Sequence, residues 1–180
     1  MPSSQQIIER TKKWVDAVVI GCHFCPFAAQ VVLHKQVHYA VDTSMVSDSY
    51  FDILLRELTR LDTDNTIETS FLIFPYTFAQ FDDFLDLVSL AEKLLNQNGY
   101  DGIYQLASFH PLYIFAGSDE NDAANYTNRS IYPMLHLLRE SSIDKALEHY
   151  NNPENIPDAN IDFARNKGLL SMQILRDTCI

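Results

Sequence analysis

Apolar residues recur every three to four positions in three stretches of the chain, and this spacing is typical of amphipathic α-helices. The first stretch, residues 4–20, begins directly after Ser3, and Ser3 and Gln6 have the spacing of an N-terminal capping box. The other two stretches cover residues 51–61 and 81–95 and carry polar residues on the opposite face. The pattern therefore predicts a helix over each of the three stretches.

Shorter apolar runs, rich in β-branched and aromatic residues, lie between and after these helices. They cover residues 30–41, 67–74 and 103–109, and their composition is typical of buried strands. A predicted helix separates each run from the next, and such crossovers usually join parallel strands by a right-handed connection. The sequence therefore predicts an α/β fold with a small, mainly parallel sheet of three to four strands flanked by helices.

The last third of the chain is predicted to be a helical cover over that sheet. Pro133 stands where a helix favours proline in its first turn, and residues 134–140 are predicted to form a short helix there. On that helix His136 and Arg139 would share a face, because they are three positions apart. Residues 117–132 show no periodicity, and a loop of that length is usually functional or disordered.

The composition of the chain excludes several classes of protein. A length of 180 residues is typical of a single globular domain, so we expect one domain over residues 1–180. The chain has 13 Lys and Arg against 24 Asp and Glu, a net charge of −11, which repels nucleic acids and anionic lipids. It also lacks the apolar run of a membrane span and the apolar core of a signal peptide. We therefore expect a cytoplasmic protein with a small-molecule ligand and no nucleic-acid or membrane partner.

Three stretches carry a resemblance to a known family. They are Cys-Pro-Phe-Ala at 25–28, Ser-Phe-His-Pro at 108–111, and Asn-Arg-Ser at 128–130 followed by His-Leu-Leu-Arg-Glu at 136–140. With these stretches the chain resembles the bacterial domain of unknown function 1415 family over nearly its whole length. The resemblance implies no particular activity or cofactor, but it directs attention to the residues in these stretches.

His110 is the first candidate for catalysis. It stands at the carboxyl end of the third predicted strand, where open α/β sheets place their ligand crevice. Pro111 restricts the backbone of His110 and so limits the directions of its imidazole. A general base, a metal ligand or a hydrogen-bond donor to a ligand would suit this position. The alternative is a half-buried histidine that is hydrogen-bonded to the backbone.

Cys25 is the second candidate. Pro26 follows it and favours the first turn of a short helix, whose amides and dipole would stabilise the thiolate of Cys25. The alternative is a buried cysteine that acts as a small apolar side chain. In a parallel sheet, Cys25 would precede the first strand and His110 would follow the third. A catalytic pair of Cys25 and His110 is therefore not our leading hypothesis.

The aperiodic loop supplies candidates for substrate binding. Arg129 is a lone cation in an acidic stretch, and its planar guanidinium suits a carboxylate or a phosphate. The predicted substrate-binding residues are Asn125, Asn128, Arg129, Ser130 and Arg139. The alternative for Arg129 is an ordinary pairing with Asp119, Glu120 or Asp122.

The leading hypothesis is a small-molecule enzyme of the hydrolase or lyase type that acts on an anionic metabolite. In it His110 moves a proton and Arg129 and Arg139 hold the anionic group. One alternative is a non-catalytic protein that binds a small ligand, or a divalent metal through His110, His136 and Cys25. Another is thiol redox chemistry at the Cys-x-x-Cys pair of Cys22 and Cys25. Motifs for nucleotide binding, zinc proteases and serine hydrolases are absent from the sequence.

Overall fold

A computed structural model describes residues 1–44, 49–148, 150 and 152–180. The helices are α1 (Ser4–Trp14), α2 (Ala28–Leu33), α3 (Ser49–Thr63), α4 (Phe81–Gln97), α5 (Glu140–Leu147), α6 (Ile156–Lys167) and α7 (Leu169–Asp177). The strands are β1 (Val37–Val41), β2 (Thr69–Ile73), β3 (Tyr104–Phe109) and β4 (Met134–Arg139). A π-helix (Val15–Ile20) follows α1 directly, and short 3₁₀ helices form at Ala123–Thr127 and Pro153–Asn155.

The strands form one sheet in the order β1-β2-β4-β3. β1 and β2 are parallel, whereas β4 is antiparallel to both of its neighbours, β2 and β3. The prediction of an α/β fold with a small sheet of up to four strands is confirmed, but the prediction of a mainly parallel sheet is wrong. The reason is β4, which enters the sheet between β2 and β3.

The segment of β4 was predicted to be a helix. Its apolar run is buried on both faces of the sheet, apart from the partly accessible His136 and Arg139. Periodicity alone does not show whether such a short apolar run forms a helix or a strand. Pro133, which precedes the run, also fits the start of a strand, where its missing N–H costs no ladder hydrogen bond.

The first predicted strand is also shorter than expected. Residues 30–41 contain the end of α2 and then β1. Lys35 ends α2 in the left-handed conformation, with φ of 59°. The amides of Lys35 and Gln36 donate to the carbonyls of Val32 and Val31, at 3.1 and 2.9 Å, which is the hydrogen-bond pattern of a Schellman motif. Both α2 and β1 contain β-branched valines. The composition of residues 30–41 therefore did not show where the helix ends and the strand begins.

Other elements form as predicted. Ser3 and Gln6 make the capping box of α1, and the stretches 51–61 and 81–95 lie in α3 and α4. α1 passes into the π-helix, in which hydrogen bonds span five residues, as from the Gly21 amide to the Asp16 carbonyl at 2.9 Å. Such segments often occur at functional sites. None of the helices in the described residues combines the length and apolar character needed to cross a membrane.

The sheet is covered on both faces. One face, called here the first face, packs against α1, the π-helix, α6 and α7 through residues such as Trp14, Phe71 and Met134. The second face packs against α3 and α4 through residues such as Leu58 and Phe84. Because side chains alternate along each strand, Phe71 and His136 point to the first face and Leu72 and Leu135 to the second.

Candidate functional site

Three cavities meet at Cys25 on the first face of the sheet. They have volumes of about 130, 420 and 310 Å³, and Cys25 is the described residue that lines all three. Cys25 lies in the segment between the π-helix and α2. α6 holds this segment in place, because the side-chain Nδ2 of Asn160 donates to the Phe24 carbonyl at 2.8 Å and Phe163 packs edge-on against Phe24.

The smallest of the three, called here the apolar cavity, lies between the sheet, the π-helix and α2. Its walls are Val15, Val19, Cys25, Phe27, Ala28, Val31, Val32, Val37, Thr69, Phe71, Ala107, Phe109, His136 and Leu138. Only Cys25, Thr69 and His136 among these carry polar side-chain atoms. A dry cavity of about 150 Å³ binds benzene in another protein, so the apolar cavity suits a group of about that size.

His136 occupies the centre of β4 and lines the apolar cavity. The Thr69 hydroxyl donates to the Leu137 carbonyl at 2.6 Å and therefore accepts from His136 Nε2, at 2.5 Å. We assign the proton to Nε2 on this basis. Nδ1 is then a lone-pair acceptor, and it has no hydrogen-bond partner among the described residues. Burial lowers the pKa of His136 to about 3, so the imidazole is neutral at physiological pH.

The thiol of Cys25 is subject to two opposing effects. Hydrogen bonding by the backbone amides of Phe27 and Ala28 lowers the pKa of the thiol, as expected for a cysteine beside the first turn of a helix. Burial is the larger effect and raises the pKa above its ordinary value. The thiol is therefore protonated at neutral pH, contrary to the expectation that the helix would stabilise its thiolate.

Cys22 lies in the core rather than in the cavities that meet at Cys25. It is buried in the first-face core, and burial raises its pKa. Cys22 and Cys25 are both free thiols. Raised pKa values on both cysteines are the opposite of what an attacking thiol of a redox pair requires.

Both ring nitrogens of His110 form hydrogen bonds with backbone groups of the protein. His110 is 1% exposed, its Nε2 donates to the Phe78 carbonyl at 2.8 Å, and its Nδ1 accepts from the Leu112 amide at 3.0 Å. The ring packs beside Phe81 and Phe84 of α4, on the second face, whereas Cys25 lies on the first face. Both nitrogens are engaged, so these contacts favour the backbone-bonded alternative. The catalytic role of His110 stays a prediction.

The loop side chains predicted to bind substrate mostly bind the main chain. Arg129 Nε donates to the Tyr113 carbonyl at 2.9 Å, and its Nη2 donates to the Glu120 carbonyl at 2.8 Å. Asn125 is 0% exposed, with Oδ1 accepting from the Phe115 amide and Nδ2 donating to the Asp119 carbonyl. These contacts hold the aperiodic loop in one conformation.

Asn128 is the member of the predicted binding set that borders a cavity at Cys25. It lines the 420 Å³ cavity, and its Nδ2 donates to the Ser108 carbonyl at 3.1 Å. Ser130 is buried and donates to the Tyr132 carbonyl.

Arg139 lies on the other face of β4 from His136, because three positions along a strand reverse the side chain. Its guanidinium donates to the Tyr104 hydroxyl at 3.1 Å and to the carbonyls of Leu61 and Ile67. The expectation that His136 and Arg139 share a face is therefore wrong. Arg139 connects β4 to the end of α3 instead of facing the cavities.

The predicted metal ligands are not brought together. Within residues 1–44, 49–148, 150 and 152–180, no group of three His, Cys, Asp or Glu side chains has the arrangement of a metal site. A structural or catalytic metal usually needs at least three protein ligands. His110 lies on the second face, away from His136 and Cys25, so the three do not form one site.

Comparison with known families gives one result. Residues 6–173 match the family described as Protein of unknown function (DUF1415). The chain belongs to this family. The resemblance drawn from the three stretches is thereby confirmed. No match was found among curated proteins or among solved structures.

Thr69 and the strand position of His136 were not predicted from the sequence. Both are polar residues in largely apolar strands, and such residues require a hydrogen-bond partner when they are buried. That pattern is the sequence signal that would have singled them out. It depends on identifying residues 134–139 as a strand, which the sequence did not allow.

Proposed function

We propose that the protein binds a small molecule, and that an uncharged, largely apolar part of this ligand fills the apolar cavity. The observation that supports the proposal is a neutral His136 whose Nδ1 has no partner among the described residues, in a cavity with largely apolar walls. A donor from a ligand that reaches this acceptor adds one hydrogen bond, which contributes about 0.5–1.5 kcal/mol.

The walls indicate the chemistry of the bound group. Phe71 and Phe109 offer aromatic surfaces, and the thiol of Cys25 is neutral. A charged group would lose its hydration there without gaining a counter-ion. The best fit is an aromatic or branched aliphatic group with one O–H or N–H that donates to His136 Nδ1.

Binding of phenol and toluene tests this proposal. The two molecules have nearly the same size, but only phenol has an O–H donor. We expect both to shift the NMR signals of residues around the apolar cavity, and phenol to bind more tightly by up to about tenfold, the equivalent of one hydrogen bond.

Two neighbouring alanines of α2 supply matched variants. Ala28 lines the apolar cavity, whereas Ala29 is exposed on the same helix. Ala28→Leu fills the cavity and should abolish binding of both probes, and Ala29→Leu should leave binding unchanged. Equal phenol binding by the two variants would show that the ligand does not enter the apolar cavity.

A second candidate is an enzyme of the hydrolase type that uses Cys25 as its nucleophile. The amides of Phe27 and Ala28, which lower the pKa of the Cys25 thiol, favour this role. In such a reaction the sulfur attacks the carbonyl carbon of an ester and a C–S bond forms. The alcohol leaves with the thiol proton, and water then hydrolyses the thioester. The predicted action of His110 and Arg129 on an anionic metabolite is not needed in this scheme.

Acylation by p-nitrophenyl acetate tests the second candidate. Because burial raises the pKa of Cys25, the rate of p-nitrophenol release should increase with pH through and above pH 8. Cys25→Ser should abolish that release, while Cys22→Ser should not. Release that is unchanged in Cys25→Ser would show that Cys25 is not a nucleophile toward esters.

A further inference from the structure

A second pocket adjoins the apolar cavity and differs from it in charge. It has a volume of about 480 Å³ and is lined by Lys12, Asp16, Val32, Lys35, Val37 and Tyr39. Val32 and Val37 also line the apolar cavity, so the two spaces share a wall. We call the second space the basic pocket, after its two lysines.

The two ammonium groups of the basic pocket outnumber the one carboxylate that lines it, that of Asp16. Among the described residues, neither Lys12 nor Lys35 forms an ion pair. The Lys12 ammonium instead lies 5.3 Å from the centroid of the Tyr39 ring. The net charge of −11 makes the electrostatic potential around the chain negative overall, and two lysines outside any ion pair make it locally more positive at this pocket.

Tyr39 adds a neutral donor to this pocket. Its hydroxyl has no hydrogen-bond partner among the described residues. Burial, and then the charge of Asp16, raise the pKa of Tyr39, so the hydroxyl stays protonated and able to donate. Asp16 also places one negative charge in the pocket wall, which disfavours a doubly charged ligand group more than a singly charged one.

Lys35 occupies a position where the backbone favours glycine. Its φ of 59° is in the left-handed region, at the residue that ends α2. Local backbone strain of this kind often occurs at functional sites. Here the strained residue is also one of the two cations of the basic pocket.

We propose that Lys12 and Lys35 bind the carboxylate of the ligand whose apolar part fills the apolar cavity. This inference rests on the proposed binding function and specifies its ligand as a monoanionic carboxylic acid with an aromatic or branched aliphatic body. The carboxylate lies between the two ammonium groups and accepts from the Tyr39 hydroxyl. The body passes beside Val32 and Val37 toward His136.

Calorimetric titration of the full chain with 3-phenylpropionate and 3-phenylpropan-1-ol tests the proposal. The two probes share an aromatic ring and linker and differ in charge. We expect the acid to bind about five- to tenfold more tightly at low salt, the effect of two partly exposed ion pairs. This preference should decrease as the salt concentration rises, whereas binding of the alcohol should not.

Three single lysine substitutions test whether Lys12 and Lys35 cause the preference for the acid. Lys35→Gly removes an ammonium and at the same time relieves the backbone strain, so loss of the preference for the acid is not due to unfolding. Lys12→Gln should also reduce the preference. Lys13→Gln is the control, because Lys13 carries the same charge on α1 and does not line the basic pocket.

The outcomes separate this inference from the proposed function. Equal affinity of the wild-type chain for acid and alcohol would overturn the carboxylate site and leave the proposed function intact. Absence of binding by both probes, together with phenol and toluene, would overturn both proposals. A preference for the acid that survives in both Lys35→Gly and Lys12→Gln would show that the carboxylate lies outside the basic pocket.

Discussion

The imidazole of His136 lies flat against the ring of Phe71, with 3.8 Å between the ring centroids and 8° between the planes. The two residues are direct partners in the antiparallel pairing of β2 and β4. Phe71 covers one face of the imidazole and Thr69 occupies its Nε2. The remaining acceptor, Nδ1, is the part of His136 that a ligand can engage.

The lowered pKa of His136 predicts a loss of stability in mild acid. The folded-state pKa of His136 is about 3, whereas an unfolded histidine has a pKa of about 6.5. Between these values the unfolded chain binds a proton that the folded chain does not. The free energy of unfolding therefore falls as the pH drops below about 6.5, by at most about 1.4 kcal/mol per pH unit from this residue. Urea denaturation at pH 7 and pH 5.5 measures the change.

His136→Leu should reduce this pH dependence. Part of it should remain, because burial also lowers the pKa of His110. His34 is exposed, so His34→Gln is the control and should leave the dependence unchanged. A pH dependence in His136→Leu equal to that of the wild type would contradict a buried, neutral His136.

The contacts of His110 predict a structural effect when it is replaced. His110→Leu leaves the Phe78 carbonyl and the Leu112 amide without their side-chain partner. We expect the free energy of unfolding to fall by about 2–4 kcal/mol, the sum of two unpaired backbone groups. Urea denaturation measures the loss, with His23→Gln at an exposed position as the control.

The same variant distinguishes the structural role from the catalytic one. Under conditions where His110→Leu is folded, it should bind phenol as the wild type does, because His110 lies on the face of the sheet opposite to the apolar cavity. If His110→Leu kept the stability of the wild type but lost phenol binding, His110 would belong to the ligand site.

Arg129 is predicted to stabilise its own loop. Arg129→Gln removes the hydrogen bonds to the Tyr113 and Glu120 carbonyls and the contact over the Tyr126 ring. We expect a loss of about 1–2 kcal/mol in the free energy of unfolding and faster amide hydrogen exchange in residues 113–121. Arg56→Gln, on the exposed face of α3, is the control. Unchanged exchange in the loop would indicate that Arg129 is available for a ligand.

Glu57 is predicted to stabilise the fold above pH 4. Burial alone would raise its pKa, but hydrogen bonds from His38 and Ser70 and the charges of His38 and Arg60 outweigh burial and lower it. A lowered pKa contributes stability above the unfolded value of about 4.3, and this is lost as the pH falls through the folded pKa. Glu57→Gln should cost about 1–3 kcal/mol at pH 7 and should lack the acid-dependent loss.

Chemical denaturation of Glu57→Gln at pH 7 and pH 3.5 tests this role. Glu154→Gln, at an exposed position, serves as the control and should match the wild type at both values. Equal stability of Glu57→Gln and the wild type at pH 7 would show that the contacts of Glu57 do not contribute to folding.

The helices predicted correctly are those with a one-sided pattern or a local signal. α1 has its capping box, and α3 and α4 have apolar residues on one side only. β4 and the region of α2 lack such a signal, because their apolar residues are buried on more than one side or continue across a turn. Their conformation depends on which neighbours cover them.

The roles of polar residues were harder to predict than the positions of helices and strands. An arginine or an asparagine in an aperiodic loop suits a ligand, but it suits a nearby carbonyl equally well. For Arg129 and Asn125 the partners are backbone groups of the same loop and of the segment just before it, whose positions depend on how this region folds. His110 has the same ambiguity, with a partner in the segment before α4.

By itself the sequence determined the α/β class and the family, since these depend on residue type and local spacing. Only the tertiary structure decided that β4 runs antiparallel between β2 and β3. That pairing joins residues far apart in the chain, and it brings His136 beside Thr69 and into one cavity with Cys25. No local pattern encodes such a contact, because its free energy comes from burying both strands together.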